Sequence, residues 1–182
     1  MYRAVLDSCV LFPMYLRDTL LCMSEAGLYV PHWSQEILDG ATRNLVNTGR
    51  LTTTQAMRLE GRIKEAFPTA LIVVSDNIVQ LMTNHPNDRH VLAAAVVGKA
   101  NIIVTSNLKH FQDRDLAPWQ IKAKSPDEFL TELYNLYQQQ VIEVLQRQSQ
   151  SLKKPAMSFF ELLELLSREA PRFTNNIKSQ TS

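Results

Sequence analysis

The 26 residues from Pro86 to Phe111, PNDRHVLAAAVVGKANIIVTSNLKHF, constrain this chain more than any other stretch, because they set polar residues at the ends of core elements. Asp88 opens an apolar segment, VLAAAVVG, whose alanines and closing Gly98 predict a short buried helix with a carboxylate in its first turn and a glycine stop. The following NIIV, Asn101 to Val104, is short and β-branched and predicts a central strand. Thr105, Ser106 and Asn107 stand at that strand's carboxyl end. In open parallel sheets ligands bind outside the carboxyl ends of the strands, so this tip is where chemistry is expected.

The rest of the chain supplies partners for that unit. Tyr2 to Leu6 predicts a first buried strand that hands directly to Asp7 and Ser8, which share an edge with Thr105 if the two strands are parallel. A helix from Pro13 to Glu25 ends at Gly27, and Leu28 to Val30 reads as a short extended piece. Ser34 then caps a helix, SQEILDGATRNLVNTG, stopped by Gly49. Gly40 inside it costs about 1 kcal/mol relative to alanine, and nothing in the local sequence calls for it. Thr52 to Phe67 predicts an amphipathic helix, Ala70 to Val74 a second buried strand, Asn77 to Met82 a helical turn and Gln120 to Ala123 a weak strand. Ser125-Pro126-Asp127-Glu128 is a helix start. From there the pattern is helical to about Gln150, is broken between Ser149 and Pro155, and resumes as an apolar stripe over Met157 to Glu169 before a polar tail. Strands alternating with helices give an α/β fold: a three-layer domain with a central parallel sheet over residues 1–126, and an α-helical C-terminal extension over 127–182. A chain of 182 residues that is 45% hydrophobic can bury a sizeable core of this kind.

Charge and composition narrow the function. The formal net charge of +1 carries no global nucleic-acid signature, so such binding needs a local patch. Between His85 and Lys124 six cations (Arg89, Lys99, Lys109, Arg114, Lys122, Lys124) face three aspartates (Asp88, Asp113, Asp115), which suits either a binding surface or an ordinary solvated face. Cys9 and Cys22 lack metal-type spacing and read as reduced, buried thiols of a cytoplasmic protein. The apolar N-terminus is broken by Arg3 and Asp7, unlike an export signal, and no run is long enough for a membrane span. A dehalogenase-type phosphatase needs a second aspartate two residues after the first, where Cys9 stands, and a phosphoryl receiver needs an acidic pair where only Asp7 is present. There is no glycine-rich phosphate loop. His90 beside a helix start suits a packed or capping residue better than a general base.

Asp7 closing the first strand, Asp88 opening the helix before the third, and the TSN tip together resemble the PIN domain, the metal-dependent ribonuclease fold of VapC-type toxins. The whole 86–111 segment is similar to the signature of one bacterial branch of that family. SPDEFL, SLKKPAMSFFELLELL and the late PRF resemble its helical C-terminal region. The resemblance implies one or two Mg²⁺ or Mn²⁺ ions held by clustered carboxylates, with Asp7 as the first acid and Asp88 as the third. The second is a glutamate in the family's ILDE, and this chain has ILDG: Gly40 occupies that position, with Glu36 and Asp39 as the nearest substitutes. The variable fourth position falls near Asn107, His110 or Asp113, and Asn107 ranks with Asp7 and Asp88 as a catalytic candidate. Ser8, Arg89, Thr105, Ser106, Lys109, His110 and Arg114 are the candidates for holding RNA or orienting ligands. The implied function is an endoribonuclease toxin that uses metal-activated water and leaves a 5′-phosphate and a 3′-hydroxyl. Its implied partners are an RNA substrate, a cognate antitoxin and a second copy in a homodimer. The alternative is a PIN-fold protein that binds antitoxin or RNA without cleaving.

Overall fold

The computed structural model describes residues 1–153 and 155–181; Lys154 of the SLKKP piece and Ser182 lie outside the described residues. Its centre is a five-stranded parallel sheet of β1 (Arg3–Leu6), β2 (Val30–Ser34), β3 (Leu71–Ile72), β4 (Ile102–Val104) and β5 (Lys122–Lys124), in the order β3-β2-β1-β4-β5. The helices are α1 (Ser8–Leu11), α2 (Met14–Glu25), α3 (Gln35–Asn47), α4 (Thr53–Ala66), α5 (Asp76–Gln80), α6 (Arg89–Val97), α7 (Asp113–Leu116), α8 (Pro126–Leu136), α9 (Gln138–Ser151), α10 (Phe159–Leu166) and α11 (Pro171–Thr181). Ala4, Val5, Leu6 and Ile102, Ile103, Val104 are buried, as strands covered on both faces must be. Strand order reverses between β1 and β4. With right-handed crossovers, the connections that precede β2 and β3 lie on one face of the sheet and those that precede β4 and β5 on the other.

Capping chemistry sets many of the helix starts. Ser34 Oγ accepts from Ile37 N at 3.2 Å at the head of α3, and Thr52 with Gln55, Ser125 with Glu128 and Ser158 with Glu161 form reciprocal capping boxes on α4, α8 and α10. Gly27 and Gly49, which follow α2 and α3, take the left-handed conformation expected of helix stops.

Several expectations are corrected. The extended piece after α2 is a full strand that runs on from Val30 through Ser34, so NIIV is the fourth strand and not the third. Ala70–Val74 is not a buried strand: β3 keeps only two residues at the sheet edge, and beyond it Val73 is 86% exposed. Apolar composition alone does not distinguish an edge from a centre. Gly98 is no left-handed stop, since its backbone is right-handed and Lys99 takes the positive φ. Gly98 serves close approach instead, because a Cβ there would lie 3.0 Å from Ala94 O and 3.2 Å from Ile72 Cγ1. Gly40 also has a local reason that the sequence does not display: a Cβ would sit 3.1 Å from Ser8 Cβ, so the glycine lets α3 lie close against α1. The long C-terminal helix breaks at Tyr137, between α8 and α9.

The polar tail is also wrong, since α11 buries Phe173 and Ile177 completely. The C-terminal helices share one hydrophobic cluster with the sheet. Phe129 of α8 stands edge-on to Tyr29 at 5.0 Å, and Gln148 of α9 accepts from Thr19 Oγ1 at 2.9 Å and donates to Asp18 at 2.9 Å. Phe173→Ala is expected to cost about 3–5 kcal/mol in urea denaturation, with loss of its edge-on contact to Tyr134. A loss below 1 kcal/mol would return α11 to the status of a tail.

Candidate active site

Parallel pairing of β1 with β4 places Leu6 opposite Val104, so the next residues, Asp7 and Thr105, meet at the carboxyl edge where strand order reverses. Asp7 is 2% exposed and fully engaged. Its Oδ1 accepts from Ser8 N at 2.6 Å and Ser8 Oγ at 3.3 Å. Its Oδ2 accepts from Thr105 Oγ1 at 2.7 Å and Cys9 Sγ at 3.4 Å. Thr105 Oγ1 in turn accepts from Asn107 N at 3.1 Å, and the exposed Ser106 donates its N–H to Cys9 Sγ at 3.3 Å. Two strand ends and two tight turns thus fix this carboxylate.

Beside it opens a cleft of about 550 Å³ lined by Ser8, Glu36, Gly40, Arg43, Asp76 and Asp88, among others. Residues 36, 40 and 43 fall on one face of α3 by helical spacing, which brings Glu36 into the cleft, with its Oε2 3.9 Å from His90 Nδ1. Position 40 faces Ser8, and a Cβ there would lie 3.3 Å from Ser8 Oγ. Asp88 ends a 3₁₀ turn (Pro86–Asp88) and occupies the N-cap of α6, but its carboxylate does not cap. Oδ2 lies 2.5 Å from His110 Nδ1, and the ring of His110 stacks on His85 with centroids 3.9 Å apart.

The other predicted residues lie as follows. Arg89 is half-buried and donates from Nε to Asn84 O at 3.2 Å. Asp39 accepts from Gln35 Nε2 at 2.7 Å and lines a separate groove against α4. Asp113 borders another concavity with Lys122, Lys124 and Glu128. Lys109 and Arg114 are exposed. Sequence reasoning missed Arg43, Asp76 and His85. Arg43 was accessible from the α3 spacing, and His85 from the i, i+3 relation across a proline-led turn, which brings both side chains to one side.

The donors suit a hard dication only in part. Asp7 and Asp88 supply carboxylate oxygens, but Gly40 supplies none and Asp88 is already paired with an imidazole. Position 40 offers no donor, and the further carboxylates on the cleft wall are Glu36 and Asp76.

Comparison with known proteins points one way. Residues 126–179 match the family model described as VapC50 C-terminal domain. The chain is 41% identical over 105 residues, 58% of its length, to a protein of Mycobacterium tuberculosis named "Putative ribonuclease VapC50". It covers 62% of that relative's length. No solved structure gives a significant match.

Neither thiol is disulfide-bonded, and both are half-buried. Burial, with the Asp7 carboxylate adding to it, pushes Cys9 up to about 11, and burial with Asp18 pushes Cys22 up to about 12. The reactive thiolate of Cys9 is then about one part in a thousand at pH 8. Iodoacetamide is expected to label neither thiol appreciably at pH 8 until urea unfolds the chain; rapid native labelling of Cys9, followed by peptide mass, would contradict the packing around Asp7.

Proposed function

From the chain's membership of the VapC-type PIN-domain family with its C-terminal region, we propose that it is an endoribonuclease toxin scaffold, cytoplasmic and paired with an antitoxin, in which Gly40 holds metal-dependent cleavage low. The observation that carries this reading is geometric: Ser8, Gly40 and Asp88 line one cleft, and a side chain at position 40 would project toward the corner where Asp7 is held. A bound Mg²⁺ or Mn²⁺ would supply charge stabilisation on a phosphodiester oxygen and a more acidic water. Asp7 and Asp88 would hold the ion, with Glu36 as the nearest further carboxylate on the same helix face as position 40.

The chain's own residues define the remaining parts. Ser8 and Thr105 hold Asp7 in one orientation, and an ion at its carboxylate would have to displace one of the donors it accepts from. Arg43, exposed on the cleft wall, is the cation best placed to meet a phosphate. Antitoxin binding finds a natural surface in the apolar groove of about 360 Å³ between the N-terminal helices and α10, lined by Phe12, Tyr15, Leu45, Leu51 and Leu165. The missing carboxylate equally supports a second reading, a PIN-fold protein that binds RNA or antitoxin without cleavage.

RNA cleavage by this chain beside its Gly40→Glu variant separates these readings. The variant is expected to cleave at least about tenfold faster in Mg²⁺, with Asp88→Asn in the same background abolishing the gain. Its stability should change little, since a helix-propensity gain of up to about 1 kcal/mol is opposed by the 3.1 Å approach to Ser8 Cβ. Equal cleavage by both forms at low Mg²⁺ would sink the role given to Gly40. RNA binding with no cleavage by either form would favour the second reading.

A further inference from the structure

His85 and Asp88 are three positions apart across a turn begun by Pro86, and His110 closes a second 3₁₀ turn (Leu108–His110). With about three residues per turn, the first pair comes to one side of its segment, and the two turns are tied together by His85 N donating to His110 O at 3.4 Å. The imidazole planes are within 9° of parallel. One potential ligand atom from each of His85, Asp88 and His110 lies within 4.8 Å of the other two, and this is the one such trio among the described residues.

We propose that His85, Asp88 and His110 form a binding site for a first-row transition-metal dication of the zinc or nickel kind. Such an ion takes imidazole nitrogen and carboxylate oxygen at about 2.0–2.2 Å, which in a tetrahedral site puts the donors about 3.3 Å apart. The stacked rings cannot both aim an in-plane lone pair at one ion, so the exposed His85 ring must turn out of the stack while His110 Nδ1 and Asp88 Oδ2 separate from 2.5 Å. His85 Nδ1 accepts from Asn87 N at 3.3 Å, so this nitrogen already carries a lone pair and gives up only a long hydrogen bond. The side chains of His110 and Asp88 are 23% and 15% exposed, and His85 lies at the surface, which leaves an entry path and room for a water in the fourth position.

The backbone under the trio is held. Asp88 N donates to His85 O at 2.9 Å, Asn84 Nδ2 donates to Asp88 O at 3.1 Å, and His110 N donates to Asn107 O at 2.9 Å. Two imidazoles with one carboxylate favour zinc, nickel, cobalt or iron over Mg²⁺, which prefers oxygen. The binding goes beyond the ribonuclease reading and does not depend on it. It would, however, take Asp88 away from an oxygen-ligated ion.

The test uses the full chain freed of metal by chelation and titrated with Co²⁺, followed by visible absorption, and with Zn²⁺, followed by calorimetry, with no RNA present. One equivalent of each should bind, and excess Mg²⁺ should leave the cobalt spectrum unchanged. His85→Ala and His110→Ala should each weaken Zn²⁺ binding by more than about tenfold, while His90→Ala should leave it as it was. Far-ultraviolet circular dichroism confirms that each variant is folded, and His85, at the surface, can be removed without opening the core. Unchanged zinc affinity in the folded His85→Ala/His110→Ala double variant, or Zn²⁺ binding no tighter than Mg²⁺ in the unaltered chain, would overturn the proposal.

Discussion

The parallel contact between β1 and β4 is the interaction on which the rest of this molecule depends. It closes the sheet at the point where strand order reverses, and its register carries two strand ends to the same height. Asp7 N donates to Val104 O at 3.1 Å, which extends the ladder by one bond and turns the carboxylate toward Thr105. A slip of one residue would exchange the faces of every side chain on the shifted strand and leave a charge in the core without its hydroxyl partner. The buried runs on both strands make that slip costly.

Around this contact, α3 and α6 bring the cleft together from opposite directions. The close approach of Gly40 to Ser8 shows a compromise between packing and chemistry. On the function proposed above a glutamate there would add a ligand, and it would ask the two helices to separate by a few tenths of an ångström. Asp88 shows a second compromise, since its carboxylate leaves the helix N-terminus that it could cap and pairs with His110.

Much of this was legible in the sequence, for identifiable reasons. Short β-branched runs ending in Asp7 and Thr105 announce buried strands with polar tips, and hydroxyl caps mark α3, α4 and α8 within a residue. What stayed hidden depends on contacts distant in sequence. The exposure of Val73 follows from β3 lying at an edge, which its own residues do not state. The burial of Phe173 follows from α8 lying beneath it, and the stacking of His85 on His110 joins turns 25 residues apart. Arg43 lies on the α3 face that helical spacing identifies, but that spacing does not say what the face meets.

The common core of the sheet and the C-terminal helices bears on how the chain is made. Leu20 and Met23 of α2 belong to the same cluster as Val141 and Leu145 of α9 and Phe173 of α11. On the ribosome the early helices therefore wait with apolar surface uncovered until the late ones are synthesised. A half-made chain is then exposed to aggregation and to chaperones.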